Sequence, residues 1–341
     1  MNKQYLDYLA LKMEHPHLYA RDLATMMAIS EAELTLIRCG HDAQSLQPEF
    51  EALLKGLAAV GEIKSLVRND YAVHEQIGRY ENLHFGPHAG LVLNPRALDQ
   101  RFFPQHWHSV FALTELGGSG ERHSLQIFDA QGNAVVKIYA TPQTNTVAWQ
   151  ALIAQFQHVT PSTIAIQPFP EVTAPSEIDP QRVEQEWRAM TDVHQFFQLL
   201  RRHQLSRQQA FKMVSDELAR QVSNDSIALL LERVQQQQNE IMIFVGNRGC
   251  TQIFTGRLAK VVEMKGWLNI FNDQFTLHLQ DKKIAETWIT RKPTVDGHVT
   301  SLELFAEDGT QIAQLYGQRS EGKPEQQLWR QQLEELAGEF C

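Results

Sequence analysis

Hydrophobic positions recur along this chain with two different periods. Over 186–203, "EWRAMTDVHQFFQLLRRH", Trp187, Met190, Phe197 and Leu200 return at spacings of three, four or seven, the stripe of one helix with a single apolar face. His194 falls on the same stripe, four after Met190 and three before Phe197. An imidazole there is either a core histidine satisfied by the backbone or a ligand for something large and apolar. Elsewhere the period is two, as in "HSVFALTEL", "SLQIFDA", "AVVKIYA", "FTLHLQD", "AETWITR", "SLELFAE" and "QIAQLYG", and these predict strands. "DAQGN" and "AEDGT" between such runs predict hairpin turns.

The pattern is stated twice. "VRNDYAVHEQIGR" aligns with "VGNRGCTQIFTGR", Val67 with Val245 and Arg79 with Arg257, at an offset of 178. "HSLQIFDAQGNAVVKIYA" aligns with "TSLELFAEDGTQIAQLYG", Phe128 with Phe305 and Tyr139 with Tyr316, at 177. A third block, "HLYARDLATMM" against "HQLSRQQAFKM", aligns at 186 and sets His194 opposite Tyr8. Three blocks in one order predict a tandem duplication. Each half reads as helices first, about 3–60 and 181–238, with a helix start at the Ser cap of "SRQQAFKMVSDELARQV". Strands follow, and a last helix near Trp149 or Trp329 closes each half. The class is therefore α+β, each half an antiparallel sheet with flanking helices. The expected domains are 1–160 and 181–341, joined by a proline-rich linker over 161–180.

Length and composition fit this picture: 341 residues, 43% hydrophobic, enough for two cores. A formal charge of −9 argues against nucleic acid as the main partner. Three cysteines, Cys39, Cys250 and Cys341, form no CxxC, and so exclude covalent haem attachment and zinc ribbons. Their spacing suggests reduced thiols in a cytoplasmic protein. The N-terminal stretch carries Lys3, Asp7, Lys12 and Glu14, unlike a signal peptide, and no run approaches the roughly 20 apolar residues of a membrane span.

Other chemistry is sparse. "HWH" (106–108) would place His106 and His108 on one strand face, while Gly86-Pro87 between His84 and His88 rules out a helical pair. Neither has a carboxylate or thiolate nearby in a zinc-like pattern. HExxH, GxSxG, GxxxxGK[ST] and GxGxxG are all absent. Arg96 and Arg101 flank an apolar run in "LNPRALDQRFF", and Lys292, Tyr316 and Arg319 lie toward strand ends. Such groups are ordinarily solvated, yet they are also what clamps carboxylates at a pocket mouth.

"NDYAVHEQIGRY", "HAGLVLNPRALD", "EQEWRAMTDVHQFF", "NEIMIFVGNRGC", "VEMKGWLNIFN", "TRKPTVDG" and "TSLELFAEDGTQIAQLYGQR" closely resemble the HemS/ChuS/HmuS family of cytoplasmic haem-trafficking and haem-degrading proteins, over about residues 5–335. The resemblance implies a tandem duplication with a haem cleft between the halves. It implies that His194 binds the iron of haem b and that Arg101 is the catalytic group on its distal side. Lys292, Tyr316 and Arg319 would meet the propionates, with Gln314 lining the pocket and His74 touching haem at a second site. His84, His106 and His108 depart from the family pattern, leaving auxiliary contacts open. The implied activity is haem oxygenase-like ring opening with release of iron, driven by an external electron donor such as a reductase. The alternative is a non-catalytic carrier that takes haem from an inner-membrane ABC transporter and passes it on; a duplicated scaffold without cofactor is the third possibility.

Overall fold

The computed structural model describes residues 3–117, 120–158, 163–169, 178–320 and 322–339. Half of the expected linker, 161–162 and 170–177, lies outside them. The chain forms two compact units: 1–68 with 75–170 and 247–252, and 69–74 with 171–246 and 253–341. A single cut at the proline-rich segment therefore does not separate them.

The first unit begins with helices α1 (Lys3–Glu14), α2 (Ala20–Met26) and α3 (Glu31–Ile37), a short strand β1 (Ala43–Ser45) and helix α4 (Phe50–Val60). Strands β2 (Gly61–Arg68) and β3 (Ala72–Arg79) follow, then a meander of β4 (Leu83–Phe85), β5 (Gly90–Val92) and β6 (Asp99–Phe102). The long strands β7 (Trp107–Gly117), β8 (Gly120–Asp129) and β9 (Ala134–Thr144) lead into α5 (Thr146–Phe156). The main sheet of this unit runs β1-β7-β8-β9-β2-β3. Its core joins Leu53, Leu57, Ile63, Val110, Ile127 and Trp149, as the alternation of apolar residues along these strands requires.

The second unit repeats the plan with α6 (Pro180–Arg188), α7 (Gln195–His203), α8 (Arg207–Met213), β10 (Ala219–Val222) and α9 (Ser226–Gln237). Then come β11 (Ile241–Gly246), β12 (Cys250–Gly256), the meander β13 (Lys260–Met264), β14 (Trp267–Phe271) and β15 (Phe275–Leu279), the strands β16 (Ile284–Thr294), β17 (Gly297–Ala306) and β18 (Gln311–Gly317), and α10 (Gln327–Glu339). Its main sheet runs β10-β16-β17-β18-β11-β12, the same order as the first. The hairpins β8–β9 and β17–β18 turn at Gly132 and Gly309, with φ of 80° and 83°, a conformation that a Cβ disfavours. Among the described residues, no helix is long and apolar enough to cross a membrane.

The duplication stands, but its third block is out of register. Ser30 and Ser206 each begin a helix, α3 and α8, with a reciprocal capping box. Ser30 Oγ accepts the Glu33 N–H at 3.2 Å while Glu33 accepts the Ser30 N–H. Ser206 and Gln209 do the same. These serines are 176 apart, matching the offsets of 177 and 178 downstream, so the offset of 186 pairs α2 with the wrong helix. His194 then falls opposite the start of α2, near Leu18 and Tyr19, and not opposite Tyr8, which is buried in α1.

The helix expected over 186–203 is two helices. The α6 helix stops at Arg188, and the Asp192 side chain accepts the His194 N–H at 2.7 Å in a local turn that competes with helix continuation. The phase resets there. Phe196 and Leu199, both 1% exposed, join Trp187 and Phe211 in the core, whereas Phe197 is 62% exposed.

Candidate functional site

His194 is the N-cap of α7, and its side chain is 83% exposed. This disposes of the core-histidine alternative. Its ring is nevertheless fixed: Nδ1 lies 2.7 Å from Asp192 Oδ1, the oxygen that also accepts its backbone N–H. A carboxylate only accepts, so Nδ1 carries a proton, and in the neutral ring the lone pair is on Nε2. Nε2 has no hydrogen-bond partner among the described residues. The Asp192 carboxyl is held below its usual range, first by the backbone and ring N–H groups of His194, with smaller help from Arg319. Arg319, just past β18, is thus within electrostatic reach of this pair.

Beneath α7 lies a buried charge cluster. Glu303, fully buried on β17, receives Arg207 Nε at 2.7 Å and Lys292 Nζ at 2.9 Å. Lys292 also donates to Thr290 Oγ1 at 2.6 Å. The β16–β17 register makes this possible: Thr290 opposes Ser301, so Lys292 and Glu303 project from the same face. Both cations sit 5.0 Å from the Phe196 ring centroid, and Arg207 is 5.7 Å from that of Phe197. Burial alone would raise the Glu303 pKa, but Arg207 and Lys292 outweigh it and hold the carboxyl well below the usual range. Burial lowers Lys292 to about 8, assisted by Arg207 and opposed by Glu303. Two cations against one carboxylate leave one positive charge in excess. The cluster continues by hydrogen bonds from Gln311 on Glu303 to Gln314, whose Oε1 accepts from Tyr316 Oη at 2.9 Å.

The second unit thus gathers His194, Lys292, Gln314, Tyr316 and Arg319 around the start of α7 and the strands beneath it. Lys292 differs from expectation: it is 2% exposed and committed to Glu303 inside β16, not solvated at a strand end. Asp192, Arg207 and Glu303 were not singled out from the sequence. The two-residue spacing of Asp192 and His194 was the available signal for the first.

His74 lies in the core of the same unit, fully buried at 4.7 Å from the Phe275 ring. Burial lowers its pKa to about 3. It offers no surface to a ligand in this conformation, which counts against the contact expected of it. The expected strand pair of His106 and His108 is also corrected, since His106 ends a 3₁₀ turn and only His108 lies in β7. Among the described residues, no group of three His, Cys, Asp or Glu side chains could hold a metal ion.

In the first unit Arg101 lies on β6, its side chain 34% exposed and paired with the buried Asp99. Arg101 opposes Leu91, and Leu91 opposes His84, so the three form one row across the β4–β6 meander.

A family model described as the haemin-degrading HemS.ChuX domain matches residues 28–156 and 204–336, one segment per repeat. The chain is 60% identical over 336 residues to the hemin transport protein HmuS of Yersinia pestis, covering 97% of this chain and 96% of that one. A structure of ChuS, a heme degrading enzyme of Escherichia coli O157:H7, is similar at 56% identity with a TM-score of 0.93, over 97% of this chain and 98% of that one. Holo-PhuS, a heme-binding protein of Pseudomonas aeruginosa, is similar at 37% identity and TM-score 0.93, over 99% and 98%. With both repeats matched and full-length relatives at this identity, the chain belongs to the HemS family.

Proposed function

We propose that this protein binds haem b through His194 and opens its ring, releasing iron, in the cytoplasm after haem uptake. The observation that carries the reading is the exposed imidazole whose Nδ1 is held by Asp192 while Nε2 faces outward. Metal-bound histidines are oriented in this way, with the second nitrogen donating to a carboxylate. The surroundings suit a flat apolar dianion. Phe197 offers an exposed aromatic surface, and Arg319, Tyr316 and the positive cluster of Arg207 and Lys292 complement propionates. Lys292 acts in this scheme through the cluster, since its ammonium does not reach the surface. Haem supplies the redox chemistry when bound, with electrons from an external donor such as a reductase.

The protein's own contributions are binding, orientation and hydrogen bonding. Arg101 is the catalytic candidate of the family resemblance, and its guanidinium would donate hydrogen bonds to an anion developing in the reaction. Its ion pair with Asp99 fixes the group in one orientation. ChuS, at 56% identity, is described as a heme degrading enzyme, which favours turnover. HmuS, at 60% identity, is described as a hemin transport protein, which favours a carrier loaded from an inner-membrane transporter. The same site serves both roles. One experiment separates them: haemin-loaded protein with reductant in air, catalase present to remove free peroxide, and the pigment identified. An open tetrapyrrole supports the enzyme; intact haem under these conditions leaves the carrier.

A further inference from the structure

The loop that carries His194 is hydrogen-bonded at nearly every residue. Gln195 clamps Thr191 from two sides, its Oε1 accepting the Thr191 N–H at 2.9 Å and its Nε2 donating to Thr191 Oγ1 at 3.2 Å. Val295 N–H donates to Thr191 O at 3.0 Å, and the Gln195 N–H donates to Asp192 O at 3.1 Å. An exposed side chain at a helix start would otherwise sample several rotamers. Here a rigid turn delivers one carboxylate oxygen to both the backbone and the ring of the same histidine. The double contact makes Asp192 more than an N-terminal turn residue, because a turn needs only the backbone bond.

A full negative charge on the far side of an imidazole drives electron density toward the nitrogen that meets the metal and raises its basicity. Ferric haem carries one more positive charge than ferrous haem, so it gains more from a more basic ligand. From this geometry we infer that Asp192 is a positioning residue that sets the donor strength of His194 and biases bound haem toward the ferric state. The inference rests on the haem-binding reading above and specifies how its proximal side is tuned.

Asp192→Asn tests this, because the amide keeps an oxygen for both donors and removes only the charge. Both residues are largely exposed, so the fold should be unaffected, which a thermal melt of the apoprotein checks. The measurements are haemin affinity and the midpoint of a redox titration of the haemin-loaded protein. Asp192→Asn should weaken ferric binding about tenfold more than ferrous binding, at the lower end of what a lost outer-shell partner costs. That ratio raises the midpoint by about 59 mV for a one-electron couple. The ferrous iron–imidazole stretching frequency should fall with it. An unchanged midpoint and stretch in Asp192→Asn, while His194→Ala still alters the haemin spectrum, would overturn the inference and leave the binding site intact. If His194→Ala itself keeps the wild-type spectrum and affinity, the ligand assignment fails, and the inference with it.

Discussion

Phe196 and Phe197 are adjacent in the chain and opposite in burial, at 1% and 62% exposed. The helix start at His194 decides this, since it sets which face of α7 meets Trp187 and Phe211. The two residues should therefore separate stability from binding. Phe196→Ala should cost about 3–5 kcal/mol in urea unfolding, as for other buried aromatics. Phe197→Ala should stay within about 0.5 kcal/mol of wild type and weaken haemin binding roughly tenfold, by losing contact area of the order of one apolar side chain. Equal effects of the two on stability would contradict the placement of α7.

Arg101 should matter to turnover more than to affinity. With reductant, air and catalase, Arg101→Ala should open haem roughly a hundredfold more slowly, the scale of one lost pre-aimed donor. Haemin affinity should change far less, because ring burial and the iron bond are untouched. Wild-type rates in this variant would remove Arg101 from the turnover machinery.

The buried triad has a pH signature. The Lys292 pKa is lowered from 10.5 to about 8, so between these values the unfolded chain holds a proton that the folded protein has lost. Stability from this group therefore rises with pH across that window, and the penalty is fully present below about 8. Lys292→Met should remove the rise, which unfolding midpoints measured at intervals from pH 7.5 to 10.5 would show. Glu303→Ala should instead destabilise by about 3–5 kcal/mol, because it strands two buried cations.

His74 gives the mirror case at acid pH. Its pKa falls from 6.5 to about 3, so it is neutral when folded while the unfolded chain takes up a proton below about 6.5. Its contribution is fully present above 6.5 and is lost progressively as pH falls toward 3. His74→Phe should flatten that part of the acid unfolding profile and leave haemin affinity unchanged. A loss of affinity would restore the ligand contact that its burial argues against.

The strands were legible because alternation survives burial on one face, and the hairpin glycines 132 and 309 mark the turns where a positive φ is needed. The helical stretch around His194 was not, since periodicity counts apolar letters and cannot see the Asp192 carboxylate outcompeting the helix for the His194 N–H. The repeat offset failed for a related reason: matching letters in α2 outweighed the two serine caps that mark true helix starts. Lys292 toward a strand end reads as a solvated residue, and only the strand register brings it to Glu303 across the hairpin. The iron-ligand candidate itself was visible as an imidazole out of place, although it stands out in solvent and not in the core.

Residues 247–252 complete the first unit from a position late in the chain. There the Trp107 indole N–H donates to Gly249 O at 2.8 Å, and Asn247 Nδ2 donates to Arg68 O and Val135 O at 3.0 and 2.9 Å. A Cβ on Gly249 would lie 2.7 Å from Val135, so the approach is close. On the ribosome, the first unit cannot close until well over two thirds of the chain has been made. Its partly built core must wait for that segment, so this protein has a long nascent stage exposed to aggregation and to chaperones. A nonsense product ending in the proline-rich segment would never leave that stage.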